Sequence, residues 1–381
     1  MTTPPQGSPR FHFVDLLRGW AVLIMIETHV FNALLVPELK ETVFYKAVTF
    51  MNGLVAPSFL FCAGFAFAIA ARRKWNAYIS LEKPYWRYFV RLLFILVVGY
   101  SLHLPKFSLH QLMEVSDPKA WLSFYQTDIL QAIAVSLMLL AVLVVILRTE
   151  KVFYAVTLLL TLVFVFAAPV VRELNYENFP VWLAPYLTLH VPSQFPLFPW
   201  AAFLMSGMLI GAWYIRSNEK GESNALVRRL AWYSFAAIAV SLLLELAPLS
   251  VYPNHDFWRA SPEFFFVRLG IVVLLLCGLW WREHRKQTSA NSVLSLFGQE
   301  SLLVYVVHLL IVYGHTYEFS FVRVYGPTLN YLQCFGVFAG LTIVMYAMAF
   351  VWHRTKAWNG KVAGYLEYAI LGGIVLTFLL K

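Results

Sequence analysis

The first long apolar stretch of the chain contains three side chains that can carry acid–base or anion chemistry. Asp15, Arg18 and His29 lie within residues 14–35, which are otherwise almost wholly apolar. At about 100° per residue, the step from Arg18 to His29 makes about three helical turns, so all three side chains share one helix face. A polar stripe in a membrane helix is tolerated where it faces the bundle interior or a water-filled cavity. We therefore expect a functional site here. The alternative is a structural Asp15–Arg18 ion pair and a hydrogen-bonded histidine.

A second polar stripe lies within residues 297–308. Ser301, Tyr305 and His308 are spaced four and three residues apart, which places them on one helix face. If this segment and the first one both run outward, His308 and His29 lie at a similar depth in the membrane. Two histidines at one level can share a cavity. Structural hydrogen bonding between helices is the alternative.

A carboxylate and an amide open a third apolar stretch. Asp128 and Gln131 stand at its start, near the outer surface expected from the charge pattern described below. A carboxylate can orient an imidazole and stabilise the imidazolium. Asp128 is also a natural helix N-cap, which alone would explain its presence.

The composition predicts that membrane-spanning helices hold these residues. Of 381 residues, 60% are hydrophobic, 17% aromatic and only 13% charged, and the mean hydropathy is +0.67, which excludes an ordinary soluble protein. We predict an all-α, polytopic transmembrane bundle. Stretches long enough to span a membrane give about eleven helices, at about 12–36, 46–71, 86–104, 127–147, 152–171, 197–215, 228–248, 262–281, 294–314, 332–353 and 363–380.

Lysine and arginine alternate between the connecting segments. They concentrate after every second span, at residues 72–87, 148–151, 216–229, 282–286 and 354–361. By the positive-inside rule these segments and the N-terminus are cytoplasmic, and the C-terminus lies outside. The formal net charge of +9 is then mostly a topology signal, so nucleic acid is not an expected partner.

We predict one membrane domain. Residues 1–11 are expected to form a disordered cytoplasmic terminus, and residues 12–381 a single transmembrane domain in contact with the lipid bilayer. Cys62, Cys277 and Cys334 are few, odd in number and inside predicted spans. They predict neither a disulfide framework nor a metal site.

The longest predicted outer loops, residues 105–126 and 172–196, are rich in aromatic residues such as Trp182 and Tyr186. Aromatic faces beside polar groups suit a sugar ring. An interfacial aromatic belt is the alternative, and composition alone favours it.

Four segments together resemble a known family. Arg18 and His29, in DLLRGWAVLIMIETH, resemble the first-helix hallmark of the membrane-bound acyltransferase superfamily, which includes acyltransferase family 3. The heparan-α-glucosaminide N-acetyltransferase-like branch is the most similar, through DILQAIAVSLMLLAV, FPLFPWAAFLMSGMLIGAW and FGQESLLVYVVHLLI. The chain departs from the family at Glu300, where the family usually has asparagine.

This resemblance implies an acetyl-CoA-dependent acyltransferase without a metal. It would move an acetyl group from cytoplasmic acyl-CoA to an amine or hydroxyl of an extracytoplasmic saccharide, in a bacterial cytoplasmic (inner) membrane. The implied catalytic residues are His29, as base or acyl carrier, His308 and Asp128. The implied donor-binding residues are Arg18, Arg72, Arg73 and Arg87, and the implied acceptor-binding residues are Asp15, Gln131, Ser301 and Tyr305.

Two other functions compete with this one. In a secondary transporter, Asp15, Arg18, Glu27 and His29 would be proton-relay or substrate-binding groups. Against this, the two halves of the sequence show no detectable symmetry. A non-catalytic partner in envelope assembly is the third possibility. The sequence gives no signal for the oligomeric state.

Overall fold

The protein is helical throughout the part of the chain that the structure describes. The computed structural model describes residues 11–188, 190–246, 260–286, 292–314 and 319–381, so the predicted disordered terminus falls almost wholly outside the described residues. Within them there are two isolated β-bridges and no strand. The prediction of an all-α fold is therefore confirmed.

The helices in the first half of the chain are α1 (His12–Leu34), α2 (Pro37–Lys40), α3 (Val43–Asn52), α4 (Val55–Ile79), α5 (Lys83–Ser101), α6 (Leu109–Met113), α7 (Pro118–Phe124), α8 (Ile129–Leu147), α9 (Glu150–Phe166), α10 (Ala168–Val171) and α11 (Ala184–Leu187). A short 3-10 helix covers Tyr176–Asn178. The second half contains α12 (Leu197–Glu219), α13 (Ser223–Glu245), α14 (Pro262–Lys286), α15 (Val293–Gln299), α16 (Ser301–Tyr313), α17 (Phe321–Tyr325), α18 (Tyr331–Trp358) and α19 (Gly360–Leu380).

Several of these helices are long and apolar enough to cross a membrane. By length and composition there are seven such helical segments in the described ranges, or eight if α15 and α16 form one bent span. The set leaves out α1 and α5, which carry charged residues, and α9, which has 17 residues. The protein is an integral membrane protein. The count of eleven spans and the cytoplasmic N-terminus remain predictions.

The predicted ninth span is not one straight helix. α15 and α16 meet at Glu300 with a bend of 87°, and Glu300 itself has φ −104° and ψ 23°. The stripe of Ser301, Tyr305 and His308 lies wholly in α16, so its helical spacing holds. The expected depth of His308 assumed a straight span, and the bend removes that assumption.

The described chain forms two compact units. One consists of residues 1–55 and 275–367, and the other of residues 56–274 and 368–381. We call them unit one and unit two. The single domain expected for residues 12–381 remains a prediction.

Unit one is organised around α1. This helix packs against α15, α16 and α18, and its crossing with α15 is close because glycine stands at the contact on both helices. A Cβ atom added to Gly19 would lie 1.7 Å from the carbonyl oxygen of Leu294, and one added to Gly298 would lie 2.1 Å from the carbonyl oxygen of Asp15. Small residues that let backbones approach are typical of membrane helix interfaces.

Unit two is built on a similar contact between α4 and α12. A Cβ atom on Gly64 would lie 1.8 Å from the carbonyl oxygen of Leu204, and one on Gly207 would lie 2.1 Å from that of Phe61. α12 also packs against α8 and α9, and α5 packs against α8. Large buried aromatic side chains, among them Phe61, Phe65 and Phe203, fill the space beside this crossing.

The glycine crossing of α1 and α15 gives a direct test of the fold. Gly298→Ala should lower the stability of the protein by about 1–3 kcal/mol or more, because the new methyl group must displace backbone rather than a side chain. Gly278→Ala is the matched control, since a Cβ there meets nothing within 4 Å, and should be neutral. Thermal unfolding of both variants in detergent measures the difference. Equal stability of the two variants would contradict the close crossing.

Candidate active site

The two predicted catalytic histidines lie side by side in unit one. The ring centroids of His29 in α1 and His308 in α16 are 5.1 Å apart. The Nδ1 atom of His29 is 3.2 Å from the hydroxyl oxygen of Tyr313, whose ring meets the imidazole edge to face at a centroid distance of 5.6 Å. The three side chains therefore form a contiguous group between α1 and α16.

His308 has a defined hydrogen-bonding state. It is fully buried, and its Nδ1 is 2.8 Å from the carbonyl oxygen of Val304. A carbonyl only accepts, so Nδ1 must carry the hydrogen, and Nε2 of the neutral ring holds the lone pair. Nε2 is buried and has no hydrogen-bond partner among the described residues. Such an atom can accept a hydrogen bond or a proton from a substrate or a neighbouring group.

Asp15 and Arg18 form part of the α1–α15 contact. Their charged groups are 3.9 Å apart, and a guanidinium nitrogen of Arg18 donates to the carbonyl oxygen of Gly298 over 3.4 Å. Asp15 is buried, while the side chain of Arg18 keeps 22% of its surface exposed. The structural ion pair considered as the alternative is thus present, and it leaves part of Arg18 accessible.

Glu300 at the bend is buried and paired with two side chains of α18. The side chain is 4% exposed, and its two carboxylate oxygens contact the Nζ of Lys356 at 2.6 Å and the Nδ1 of His353 at 3.0 Å, both on α18. A buried carboxylate is tolerated when it is paired in this way. Because Glu300 lies at the bend, this interaction ties the start of α16 to α18.

The other two members of the α16 stripe, Tyr305 and Ser301, differ in their burial. The ring of Tyr305 is buried and lies 5.8 Å from that of His308. Ser301 is only partly buried. Both lie in the same unit and on the same helix as His308. Their contact with an acceptor remains a prediction.

A polar network beside His29 was not foreseen from the sequence. Tyr45 of α3 donates to Asn32 over 2.5 Å, and its phenol lies near Tyr313 and Glu27. Glu27 has one buried carboxylate oxygen without a hydrogen-bond partner among the described residues. Tyr313 is five residues beyond His308 and does not continue its stripe, so helical spacing alone could not have identified it.

Asp128 and Gln131 lie in unit two. Asp128 accepts a hydrogen bond from the amide of Ile129 at 2.7 Å, as expected of a helix cap, and its second oxygen is 3.4 Å from Nε2 of His103. Gln131 is fully buried, and its side-chain nitrogen donates to the carbonyl of Gln126 over 3.4 Å. The imidazole beside Asp128 is thus His103, a pairing that the sequence did not single out.

The predicted donor-binding arginines also lie in unit two. Arg72 is ion-paired with Glu150 at 3.4 Å and Glu219 at 3.2 Å. Arg73 and Arg87 are exposed. Arg72 would have to leave two carboxylates to bind a phosphate, so the exposed pair is the better placed for that role.

The aromatic residues of the outer loops divide into two kinds. Tyr186 is buried, and its hydroxyl is 2.8 Å from that of Tyr100. Burial raises the pKa of Tyr186, which keeps the phenol neutral. Trp182 is 57% exposed. Of these two aromatics, only Trp182 therefore presents its ring to the surroundings.

The structure thus collects Asp15, Arg18, His29, Ser301, Tyr305 and His308 in unit one, and Arg72, Arg73, Arg87, Asp128 and Gln131 in unit two. No group of three or more His, Cys, Asp or Glu among the described residues is placed to hold a metal ion.

The Glu300 interaction predicts an asymmetric response to mutation. Lys356→Met should destabilise the protein by about 1–3 kcal/mol, because it leaves a buried carboxylate short of a partner. The double variant Glu300→Gln/Lys356→Met should recover much of this loss, since no buried charge remains. Chemical unfolding of the single and double variants measures the coupling. Additive losses would mean that the pair contributes nothing.

One comparison with known proteins is informative. Residues 10–244 match the family model described as heparan-alpha-glucosaminide N-acetyltransferase, catalytic. No curated protein matches the chain. The matched segment contains Arg18, His29, Asp128 and Gln131 but ends before α16, so the likeness noted around His308 remains a prediction. Since this match covers more than half of the sequence, the chain belongs to the heparan-alpha-glucosaminide N-acetyltransferase catalytic family, a family of transmembrane acetyltransferases.

Proposed function

We propose that the protein moves an acetyl group from cytoplasmic acetyl-CoA to an amine or hydroxyl of an extracytoplasmic saccharide, in a bacterial cytoplasmic membrane. The observation that carries the proposal is the pairing of His29 and His308, 5.1 Å apart, beside Tyr313. It rests also on the family, whose printed description names an N-acetyltransferase.

His29 acts as the general base in this proposal. When its Nδ1–H donates to the Tyr313 oxygen, Nε2 carries the lone pair and can take a proton from the attacking amine or hydroxyl. The nucleophile forms a bond to the thioester carbon, the C–S bond breaks, and the proton passes to the departing CoA thiolate. A group that fixes the orientation of the imidazole is common in such sites, and Tyr313 fills that role.

His308 acts beside His29. Its buried Nε2 can accept a hydrogen bond from the acceptor or a proton from protonated His29. An acetyl-imidazole on His29 is the other route and needs the same lone pair. Ser301, Tyr305 and Asp15 are proposed to contact the acceptor from the same unit, whereas the roles of Asp128 and Gln131 remain predictions.

Arg18 is proposed to bind the donor. It is the positively charged residue of the α1 stripe and lies toward the expected cytoplasmic end, and a fifth of its side chain is accessible. A guanidinium can bind a CoA phosphate with two parallel hydrogen bonds. Arg73 and Arg87 are exposed, and their donor-binding role remains a prediction.

A secondary transporter is the weaker candidate. Its predicted relay would use Asp15, Arg18, Glu27 and His29, but Asp15 and Arg18 are paired with each other, and Arg18 also donates to the α15 backbone. No observation on the described residues favours it over acetyl transfer.

The histidine roles can be separated by substitution. His29→Gln should lower acetyl transfer from labelled acetyl-CoA to glucosamine by about 10²–10⁴-fold, as expected for the loss of a general base, with folding retained. His308→Gln should lower it less, because His308 assists rather than starts the transfer. His110→Gln, at an exposed histidine of the short helix α6, is the matched control and should leave transfer unchanged. Normal turnover in His29→Gln with an inactive His308→Gln would reverse the two roles.

The donor role of Arg18 predicts a different kinetic signature. Arg18→Ala should raise the KM for acetyl-CoA by about 10–100-fold, the cost of one or two charged hydrogen bonds. Arg18→Lys should restore little if the contact is a bidentate fork. Steady-state kinetics with varied acetyl-CoA measures the effect. An unchanged KM with lowered thermal stability would assign Arg18 to the pair with Asp15 alone.

A further inference from the structure

Arg268 is a charged residue in the membrane-spanning helix α14 that the proposed function does not use. Its guanidinium carbon is 3.7 Å from the ring centroid of Phe264 and 5.8 Å from that of Trp200. Among the described residues its buried Nε has no hydrogen-bond partner, and none of the ion pairs that they form includes it. The contacts that it does make are with aromatic faces.

These contacts do not offset the cost of holding the charge there. A cation–π contact offsets only part of the free energy lost when an ionised group is taken out of water without a charged partner. Ionisable residues inside membrane segments usually serve a function for this reason. Arg268 therefore needs an acceptor that the described side chains do not supply.

A second buried hydrogen-bond donor beside Arg268 also lacks a partner among the described residues. Trp200 in α12 is 8% exposed, and its indole Nε1 is buried without a hydrogen-bond partner in the described ranges. An indole N–H can only donate. Trp200 lies in the first turn of α12 and Arg268 in the second turn of α14. The two unpartnered donors thus come from neighbouring helices of unit two and meet through the Arg268–Trp200 contact.

The surroundings of these donors are aromatic. Phe195 packs edge to face on Trp200 at a centroid distance of 4.8 Å, and Phe203 and Phe265 lie beside it at 4.5 Å from each other. Apolar walls strengthen hydrogen bonds to a charged acceptor, because they lower the local dielectric. They also suit the apolar face of a sugar ring or the upper part of a lipid chain.

We propose that Arg268 and Trp200 bind an oxyanion, the carboxylate or phosphate group of a ligand that enters where α12 and α14 begin. The guanidinium donates to one or two oxygens of the anion, as its planar fork allows, and the indole N–H donates to another. By the predicted topology this end of unit two is extracytoplasmic. The site does not depend on the role of His29, so acetyl transfer and anion binding can be tested separately.

Thermal unfolding of the purified full-length protein in a neutral detergent tests the site without turnover. The probes are inorganic phosphate, glucuronate with glucose as its neutral counterpart, and phosphatidylglycerol with phosphatidylcholine as its zwitterionic counterpart. At least one anionic probe should raise the Tm of the wild type by roughly 3–6 °C near saturation. Its neutral or zwitterionic counterpart should not. A response to glucuronate or phosphate assigns the anion to a soluble ligand, and a response to phosphatidylglycerol alone assigns it to a lipid headgroup.

Two substitutions make the test specific. Arg268→Gln should abolish the shift, while Arg229→Gln, at an exposed arginine of α13 in the same unit, should keep it. Trp200→Phe retains the ring packing but loses the N–H, and should weaken the affinity for the anionic probe by about tenfold or more. Without any probe, Arg268→Gln should be as stable as the wild type or more stable, because it removes an unpaired charge.

Several results would contradict the proposed anion site. A large fall in Tm for probe-free Arg268→Gln would show that Arg268 has an internal carboxylate partner, and the proposal would be wrong. It would also be wrong if no anionic probe stabilised the wild type, or if Arg229→Gln lost the shift as Arg268→Gln does. Unchanged affinity in Trp200→Phe would overturn the two-donor site.

Discussion

The close backbone contact between α1 and α15 is the constraint on which unit one depends. Gly19 and Gly298 let the two helices approach until their backbones touch, and no side chain larger than hydrogen fits at either position. α16 begins immediately after α15, so the crossing also determines where His308 lies relative to His29. A membrane offers no hydrophobic drive for helix association, which makes such close packing the main source of cohesion.

The polar groups of unit one are held in place by pairing across this framework. Glu300 at the bend is bound by Lys356 and His353 of α18, and Arg18 is bound by Asp15 and the Gly298 carbonyl. His308 is different, because its Nε2 is buried without a partner among the described residues. Glu300 and Arg18 are thus paired within the protein, whereas His308, which is proposed to assist His29, keeps a lone pair available.

The sequence predicted what depends on local spacing. The α1 stripe follows from helical periodicity, and helix α1 begins and ends within two residues of the predicted span. The rings of His29 and His308 lie 5.1 Å apart, although the bend removes the straight span on which their expected common depth rested. Tyr313 was missed because it does not continue the stripe of His308, and the partners of Glu300 were missed because Glu300 lies at the 87° bend between α15 and α16. A bend of that size depends on tertiary packing, and the apolar pattern of residues 294–314 gives no sign of it.

Transfer across a sealed membrane tests the central claim most directly. The purified protein is reconstituted into proteoliposomes with glucosamine trapped inside and labelled acetyl-CoA added outside. The account predicts that labelled N- or O-acetylglucosamine forms inside the vesicles in a reaction that depends on His29. The unreacted acetyl-CoA should stay outside. Entry of acetyl-CoA or release of unmodified glucosamine, with no acetylated product, would contradict it and identify a transporter.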